Sequence, residues 1–327
     1  MSKTTPVEIG IILYSGAQQS AVLGLTDLFN MANRIAINDH RSNVPALRIS
    51  HWQTQDPDVP PHRTPDSCPE APPGQLMALI LPPSLNTPMS VQEAAHLAHW
   101  LRERHAEGII LSSVCAGAFV LAATGLTDNR RMTTHWTHAD ALQQRFPSVQ
   151  VDTDRLIIDD GDIITAGGLM SWLDLGLQLV DRLLGSPVML ETARMLLVDP
   201  PGREQRYYSV FSPCLTHGDA AVLRVQHWLQ TTGAKDIALP TLAAQARLEQ
   251  RTLLRRFQKA TGMTTTEYCQ RLRVNRAREL LQFSTTTIER VAWEVGYNDA
   301  GAFRKVFMRI VGLTPSEYRR RFGSATT

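Results

Sequence analysis

The 327-residue sequence contains no apolar run close to the ~20 residues that a membrane-spanning helix needs. Its first six residues lack the pattern of a signal peptide and lead directly into an apolar, strand-like segment at Val7–Leu13. These absences argue against a membrane protein and a secreted protein. Hydrophobic and aromatic contents of 43% and 6% are typical of a globular chain. We therefore expect a cytoplasmic protein of two or three domains.

Cysteine is scarce, and its spacing is not that of a metal site. The four cysteines are Cys68, Cys115, Cys214 and Cys269, scattered along the chain. This distribution predicts free thiols in a reducing compartment, with no resident metal or cofactor.

The small net charge of +2 conceals a strong separation of charge along the chain. From residue 219 onward there are 18 Lys and Arg against 9 Asp and Glu, a net charge of +9. Residues 1–218 therefore carry a net charge of −7. A basic C-terminal part on an acidic body indicates nucleic acid binding at one end of the chain.

A short pattern occurs twice in this basic part. Residues 257–268 share with residues 307–318 the spacing Phe…Gly-x-Thr-x-x-Glu-Tyr. Such a repeat indicates two copies of one supersecondary unit. In each copy a helix ends at glycine and a second helix begins at a capping box, Thr264 with Glu267 and Thr314 with Glu317.

Each copy extends backwards into a short helix, a tight turn and a second helix, which together are a helix-turn-helix. The second helices are expected over residues 250–260 and 300–310. Arg247 occupies the turn position where glycine is usual, so a left-handed conformation there would cost ~1 kcal/mol. Glu249 is a poor helix cap, whereas the second copy keeps Gly296, with Asn298 and Asp299 as caps.

These second helices separate apolar and cationic residues onto different faces. Leu253 and Phe257 share a face in the first copy, and Phe303 and Phe307 share one in the second. A cationic helix face fits the major groove, where arginine can bind a guanine edge through two hydrogen bonds. We expect base contacts from Arg251, Arg255, Arg304 and Lys305, a phosphate contact from Arg256, and further DNA contacts from Thr252 and Ala300.

The first two-thirds of the chain alternates strand-like and helix-like segments, interrupted by a loop with seven prolines at residues 56–75. This alternation predicts a doubly wound (flavodoxin-like) α/β domain, whose ligands bind at the carboxyl ends of the strands. The C-terminal part is predicted to be an all-α domain with two helix-turn-helix motifs. We place the α/β domain at residues 1–198, an interdomain linker at 199–218 and the DNA-binding domain at 219–327.

Cys115 follows a buried strand-like segment and precedes a helix of small residues. This arrangement resembles a nucleophile elbow, where the helix dipole would lower the thiol pKa. His135 follows about twenty residues later and could complete a Cys–His pair. The alternative is a buried, inert thiol with a histidine that merely hydrogen-bonds a loop.

Two family resemblances follow from these motifs. Leu253-Leu-Arg-Arg-Phe257, Ala292-Trp-Glu-Val-Gly296-Tyr297 and Gly312-Leu-Thr-Pro-Ser-Glu-Tyr318 resemble the AraC/XylS DNA-binding domain. Val114-Cys-Ala-Gly-Ala118 and Thr134-His-Trp136 resemble the class I glutamine amidotransferase-like, PfpI-type domain. Together the two halves resemble the GlxA-type branch of AraC regulators. The resemblance implies a regulator that binds double-stranded DNA at two adjacent major-groove sites and responds to an amino acid, a betaine or another nitrogenous metabolite. It also implies a homodimer, and it allows contact with RNA polymerase.

The α/β half departs from catalytic relatives in ways that favour binding without turnover. Their activating glutamate corresponds to a position near Ala21, and their Gly-Gly turn corresponds to Pro83-Ser84. We expect no catalytic residues and a ligand pocket walled by Cys115, Ala116, His135, Trp136, Gly167, Gly168 and Trp172. The two tryptophans offer an aromatic surface to a cationic ligand, with core packing as the alternative. Two other functions stay open: a cysteine-dependent amidase- or hydratase-like enzyme with an appended DNA-binding domain, and an architectural DNA binder without a ligand.

Overall fold

The computed structural model describes residues 6–38, 47–53, 59–64 and 74–324. The chain divides into two compact units: Met1–Gln205, called here the α/β unit, and Arg206–Thr327, called the helical unit. The division falls inside the predicted linker 199–218.

Among the described residues of the α/β unit, seven strands form a central sheet. In spatial order its strands are β3-β2-β1-β4-β5-β9-β8. The strands are β1 (Val7–Leu13), β2 (Leu47–Gln53), β3 (His62–Arg63), β4 (Gln75–Leu81), β5 (Ile110–Val114), β8 (Ile157–Asp159) and β9 (Ile163–Ala166), while β6 (Arg131–Met132) and β7 (Gln150–Val151) pair separately. The five central strands are parallel, and β3 and β8 are antiparallel edges. The predicted doubly wound fold is confirmed.

Helices cover both faces of this sheet. They are α1 (Gln19–Asn38), α2 (Val91–Ala106), α3 (Gly117–Ala123), α4 (Ala139–Arg145), α5 (Trp172–Leu184) and α6 (Ser186–Leu196). Successive strand residues point to opposite faces, so Ala78 and Ile80 join the core with α1, α5 and α6, while Leu79 and Leu81 pack with α2 and α3. Both faces of the sheet need a covering layer of helices, because the strand residues that point to either face are apolar.

Two elements depart from the sequence analysis. The proline-rich segment predicted as a loop contains β3, a two-residue antiparallel strand on the β2 edge. Helix α6 was not predicted; Gly185 with φ 88° separates it from α5, and Pro187 lies in its first turn, where no backbone N–H is needed. Cys68 lies outside the described residues, as do most of the seven prolines.

Up to residue 324, where the described part of the helical unit ends, its α-helices are α7 (Ala220–Thr232), α8 (Leu239–Ala246), α9 (Gln250–Thr261), α10 (Thr265–Phe283), α11 (Ile288–Glu294), α12 (Ala300–Val311) and α13 (Pro315–Phe322). The predicted repeat appears as two separate cores. Phe257 meets Tyr268 edge-on at 5.2 Å between ring centroids, and Phe307 meets Tyr318 edge-on at 5.6 Å. Helix α10 contributes to both cores and joins the two helix-turn-helix motifs, α8–α9 and α11–α12.

The two motifs differ in the quality of their turns and caps. Arg247 adopts the expected left-handed conformation (φ 56°, ψ 47°), and Glu249 makes no side-chain cap hydrogen bond. In the second motif Gly296 has φ 89°, and Asp299 accepts hydrogen bonds from the N–H groups of the first turn of α12. The first motif is therefore strained and uncapped where the second is not.

The two predicted capping boxes also differ. Thr314 and Glu317 form the complete reciprocal box. Thr264 accepts a hydrogen bond from the Glu267 N–H, but the Glu267 carboxylate accepts hydrogen bonds from Arg271 instead of closing the box. The prediction was wrong in this half, because an arginine one turn along the helix competes for the carboxylate.

We expect Arg247→Asn to raise the free energy of unfolding of the helical unit by up to about 1 kcal/mol, because asparagine tolerates the left-handed region better than arginine. The matched change Gly296→Ala should lower it by at least that amount, since its Cβ would also lie 3.0 Å from the Arg273 guanidinium. Urea unfolding of the full chain, followed by circular dichroism, measures both. An unchanged midpoint for Arg247→Asn would show that the turn carries no strain.

Candidate ligand site and nucleic-acid interface

Cys115 forms a sharp turn between β5 and α3. Its φ of 52° lies in the left-handed region, which costs a non-glycine residue on the order of 1–3 kcal/mol. Two hydrogen bonds hold this conformation: the Cys115 N–H donates to the Ala166 carbonyl, and the Cys115 carbonyl accepts from the Thr134 hydroxyl, each at 2.8 Å. The predicted elbow geometry is therefore present.

The thiol in this turn is buried and protonated at neutral pH. Cys115 is 2% exposed, and burial raises the pKa of its thiol from about 9 to about 11. Backbone N–H groups of Ala116 and His135 act in the opposite direction but are the smaller effect. The expectation that the helix dipole would lower this pKa was wrong, because desolvation outweighs it.

His135 approaches Cys115 through its backbone and not through its imidazole. The ring Nδ1 accepts a hydrogen bond from the Thr137 N–H at 3.2 Å and lies 2.7 Å from the Thr137 hydroxyl. Burial, with a smaller contribution from His138, lowers the pKa of His135, so the ring is neutral at pH 7. Among the described residues no hydrogen bond joins this ring to the thiol. The imidazole is thus directed to Thr137 and not to the sulfur of Cys115.

The carboxylate of catalytic relatives has no counterpart beside the sulfur among the described residues. Ala21, at the corresponding position, is fully buried, and Asp27 is exposed on the outer side of α1. The Tyr14 hydroxyl donates to the Pro82 carbonyl, and burial and the nearby Cys115 both raise the Tyr14 pKa. Tyr14 was not predicted from the sequence; its place at the end of β1 was the available signal.

The turn after β4 is joined to the turn after β1. The Gln18 N–H donates to the Pro83 carbonyl at 2.7 Å, and Ala17 pairs with Ser84. The Pro83-Ser84 turn is thus fixed by backbone hydrogen bonds to the loop that leads into α1.

The other predicted pocket residues divide between core and surface. Trp172 is buried against α1, where a Cβ on Gly24 would lie 2.3 Å from its ring, so it packs in the core of the α/β unit. Trp136 is half-buried, and its ring stacks on His135 with 5.6 Å between centroids. Ala116 is buried, and Gly168 turns the chain with φ 74°.

The space beside Gly167 is occupied by a side chain that the sequence analysis did not predict there. A Cβ at Gly167 would lie 2.4 Å from the side-chain nitrogen of Gln205. The glycine was predicted to let a ligand approach, but a side chain of the same unit occupies that space. Gln205 is a residue that the sequence did not single out.

A hollow of about 480 Å³ lies nearby at the carboxyl ends of β1 and β2. None of its lining residues is charged: they are Leu13, Tyr14, Ser15, Ala17, Gln19, Val22, Leu23 and Gln53. Tyr14 belongs both to this wall and to the surroundings of Cys115. The hollow and the cysteine turn are therefore neighbouring features of one sheet edge, where ligands bind in this fold class.

On α9 the predicted separation of faces is present. Leu253 and Phe257 are fully buried, whereas Arg251 and Arg255 are exposed and Thr252 is half-buried. Neither Arg251 nor Arg255 forms a salt bridge with any other described residue. Both side chains are exposed on the face of α9 opposite the core.

Arg256 has an intramolecular partner. Its guanidinium donates two hydrogen bonds, at 2.8 and 2.7 Å, to Asp219, which also caps the N-terminus of α7. The ion pair lowers the pKa of Asp219 to about 2. The phosphate contact predicted for Arg256 stays a prediction, and it would compete with this pair.

Helix α12 presents its cations differently. Phe303 and Phe307 are buried and Lys305 is exposed, but Arg304 forms a salt bridge with Glu289 of α11. Ala300 packs at the edge of the core as the first residue of the helix. Base contact by Arg304 would require exchange of its carboxylate partner.

Within the described ranges, no group of three or more His, Cys, Asp or Glu side chains is arranged to hold a metal ion. No helix in the same ranges has the length and apolar character to cross a bilayer.

Two helix-turn-helix motifs on one basic unit, beside an α/β unit with a cysteine elbow, define a DNA-binding transcriptional regulator of the AraC type. The helix-turn-helix domain model matches residues 242–321, and the DJ-1/PfpI family model matches residues 56–182. The HTH-type transcriptional regulator GlxA of Rhizobium meliloti is 32% identical over 227 residues, covering 68% of this chain and 69% of that protein. The chain belongs to this GlxA-type family.

Two further proteins are similar. The HTH-type transcriptional regulator ArgR of Pseudomonas aeruginosa is 29% identical over 248 residues, 73% of this chain and 72% of that protein. A crystal structure of an AraC family transcriptional regulator from Pseudomonas putida covers 58% of this chain and 100% of its own, with 20% identity and a TM-score of 0.45.

We expect iodoacetamide to label Cys115 much more slowly than the exposed Cys214 at pH 7, because the Cys115 thiol is buried and stays protonated until the pH approaches about 11. Its labelling rate should still be rising with pH above pH 9. Peptide-resolved mass spectrometry of the full chain separates the two sites. Equal rates near neutral pH would contradict the buried, protonated thiol.

Proposed function

We propose that this chain is a cytoplasmic, sequence-specific transcription regulator whose α/β unit binds a small metabolite without converting it. The observation that carries the proposal is the pair of exposed arginines on α9, Arg251 and Arg255, on a helix that buries Leu253 and Phe257 beneath them. This orientation suits insertion of the helix into the major groove.

The two recognition helices, α9 and α12, would enter successive major grooves on one face of the DNA. Arg251 and Arg255 are the proposed base contacts of the first motif, with Thr252 beside them. In the second motif Lys305 is exposed, and Arg304 would exchange Glu289 for DNA. An arginine that must give up an intramolecular ion pair gains less binding free energy from DNA than an arginine without such a pair. We therefore assign the larger share of base recognition to α9.

Binding without turnover is supported by the state of Cys115. A nucleophilic cysteine acts as its thiolate, yet burial raises this pKa to about 11. The imidazole of His135 is directed to Thr137, and Ala21 stands where catalytic relatives have a carboxylate. The left-handed backbone at Cys115 is the one observation that favours the alternative, a cysteine-dependent amidase- or hydratase-like enzyme.

The proposed effector binds at the carboxyl edge of the sheet. The hollow lined by Tyr14, Gln19 and Gln53 offers hydroxyl and amide groups and no charged side chain. Such a wall suits a small nitrogenous metabolite held by hydrogen bonds, and the half-buried ring of Trp136, stacked on His135, offers an aromatic surface. The buried Trp172 supports the structure of this edge instead of contacting the ligand.

A thermal-shift screen of amino acids, betaines and related metabolites tests the sensor. A bound effector should raise the melting temperature saturably, because it binds the folded state alone. Cys115→Ala should keep the response, and the compound should be recovered unchanged. Consumption of the compound by the wild type but not by Cys115→Ala would establish the enzyme instead.

Arg255→Ala should weaken binding to a selected operator by about 1–3 kcal/mol and relax the sequence preference at one position. Arg194→Ala, an exposed arginine of the α/β unit, is the matched control and should change neither. Operators selected by the wild type from a random library, followed by fluorescence anisotropy, provide the measurement. A loss that is equal for all sequences would make Arg255 a phosphate contact.

A further inference from the structure

The side chain of Gln205, the last residue of the α/β unit, is buried in a polar site. It is 2% exposed. Its nitrogen donates to the Thr134 carbonyl at 2.9 Å, and its oxygen accepts from the Trp136 N–H at 2.8 Å. A primary carboxamide is the group that this site fits, because it offers a donor and an acceptor side by side.

The site is shaped around this side chain. Gly167 lies against it, and any Cβ there would overlap the Gln205 nitrogen at 2.4 Å and approach the Thr134 carbonyl at 2.9 Å. The Thr133 hydroxyl lies 3.3 Å from the same nitrogen. The side chain of residue 205 therefore has a specific site: it is buried, its hydrogen bonds are complementary, and a glycine leaves room for it.

The site of the Gln205 side chain and the Cys115 turn are formed in part by the same segments of chain. Thr134 accepts from Gln205 through its carbonyl and donates to the Cys115 carbonyl through its hydroxyl. Ala166, which accepts from the Cys115 N–H, directly precedes Gly167. Both of the hydrogen bonds that hold the cysteine turn are therefore made by segments that also contact Gln205.

The residues on either side of Gln205 are anchored as well. Arg203 pairs with the buried Asp174, and Glu204 pairs with Arg155 at 3.0 Å, both within the α/β unit. Within the helical unit, the carbonyl of Arg206 accepts a hydrogen bond from Arg278 of α10 at 2.8 Å. Two neighbouring residues, Gln205 and Arg206, therefore have hydrogen-bond partners in the α/β unit and in the helical unit, respectively.

We propose that Gln205 is a latch that transmits the state of the Cys115 turn to the DNA-binding unit. The proposal rests on the proposed regulator function and names its coupling element. A ligand that moves the Thr134–Trp136 segment must break the carboxamide hydrogen bonds together, because a half-paired buried amide is unfavourable. Release of Gln205 removes the nearest α/β-unit anchor of Arg206, whose carbonyl accepts a hydrogen bond from Arg278 on the helix that joins both helix-turn-helix motifs.

Hydrogen–deuterium exchange of the full chain, resolved to short peptides, tests the latch without knowledge of the effector. Gln205→Ala should speed exchange of the Trp136 amide by about tenfold. It should also speed exchange in Arg206–Ser209 and the part of α10 around Arg278. Acetamide, which fills the vacated site but is not attached to the chain, should restore the slow exchange of the Trp136 amide and leave Arg206–Ser209 and α10 fast. Acetate should not restore the slow exchange of the Trp136 amide, since it cannot donate to the Thr134 carbonyl.

Three further variants separate a latch from simple packing. Gln205→Glu keeps the shape but loses the donor and should behave like Gln205→Ala. Gly167→Ala expels an intact Gln205 and should give the same distant change. Gln144→Ala, an exposed glutamine of α4, is the control and should match the wild type. Circular dichroism checks that each variant is folded. If Gln205→Ala does not fold, the exchange patterns of Gly167→Ala and Gln205→Glu test the latch instead.

Faster exchange confined to residues 133–136, with Arg206–Ser209 and α10 unchanged, would overturn the latch and leave Gln205 as a packing residue. So would a Gln205→Ala pattern equal to that of Gln144→Ala. Failure of the wild type to select any DNA sequence would instead overturn the proposed regulator, and the exchange result would be unaffected by it.

Discussion

Two hydrogen bonds to the peptide groups of Cys115 organise the carboxyl edge of the sheet. They hold a non-glycine residue in the left-handed region, a conformation that persists only where the surroundings over-determine it. The donors and acceptors come from Thr134 and Ala166, which lie on different segments. The packing that holds the turn also buries its sulfur. Backbone strain and a raised thiol pKa therefore have one cause, and an elbow can be present without the reactivity that usually accompanies it.

The helical unit shows how a repeat constrains a fold. Each copy of the sequence pattern places a phenylalanine on the recognition helix against a tyrosine on the following helix, so Phe257–Tyr268 and Phe307–Tyr318 fix the same crossing twice. Helix α10 carries one tyrosine and also enters the second core. The two motifs consequently cannot move apart without exposing aromatic surface.

Strong periodicity made much of this fold predictable. The bounds of β1, α9 and α12 agree with the sequence analysis within about two residues, because their apolar spacing is regular over their whole length. Helix α6 was missed because a glycine and a proline open it, and the same residues commonly mark a loop. Strand β3 has two residues, too few to show any period.

The candidate site was less predictable, because its chemistry depends on where each side chain points as much as on the residue type. Cys115 and Trp172 could be singled out as residue types, but the inward orientation of Trp172 depends on Gly24 of a distant helix. The ring of His135 turns toward Thr137 because of a local hydrogen bond that competes with the thiol. Gln205 reaches partners about seventy residues earlier in the chain. No local pattern encodes such a contact.

The difference between the two helix-turn-helix motifs gives the chain a direction on its target. The first motif has free arginines on a strained, uncapped turn, while the second has a well-capped helix whose arginine is held by Glu289. The two motifs differ and both pack against α10, so one motif cannot take the place of the other on the DNA. A single copy of this protein therefore has a defined direction along DNA, set by the order of its two unlike motifs.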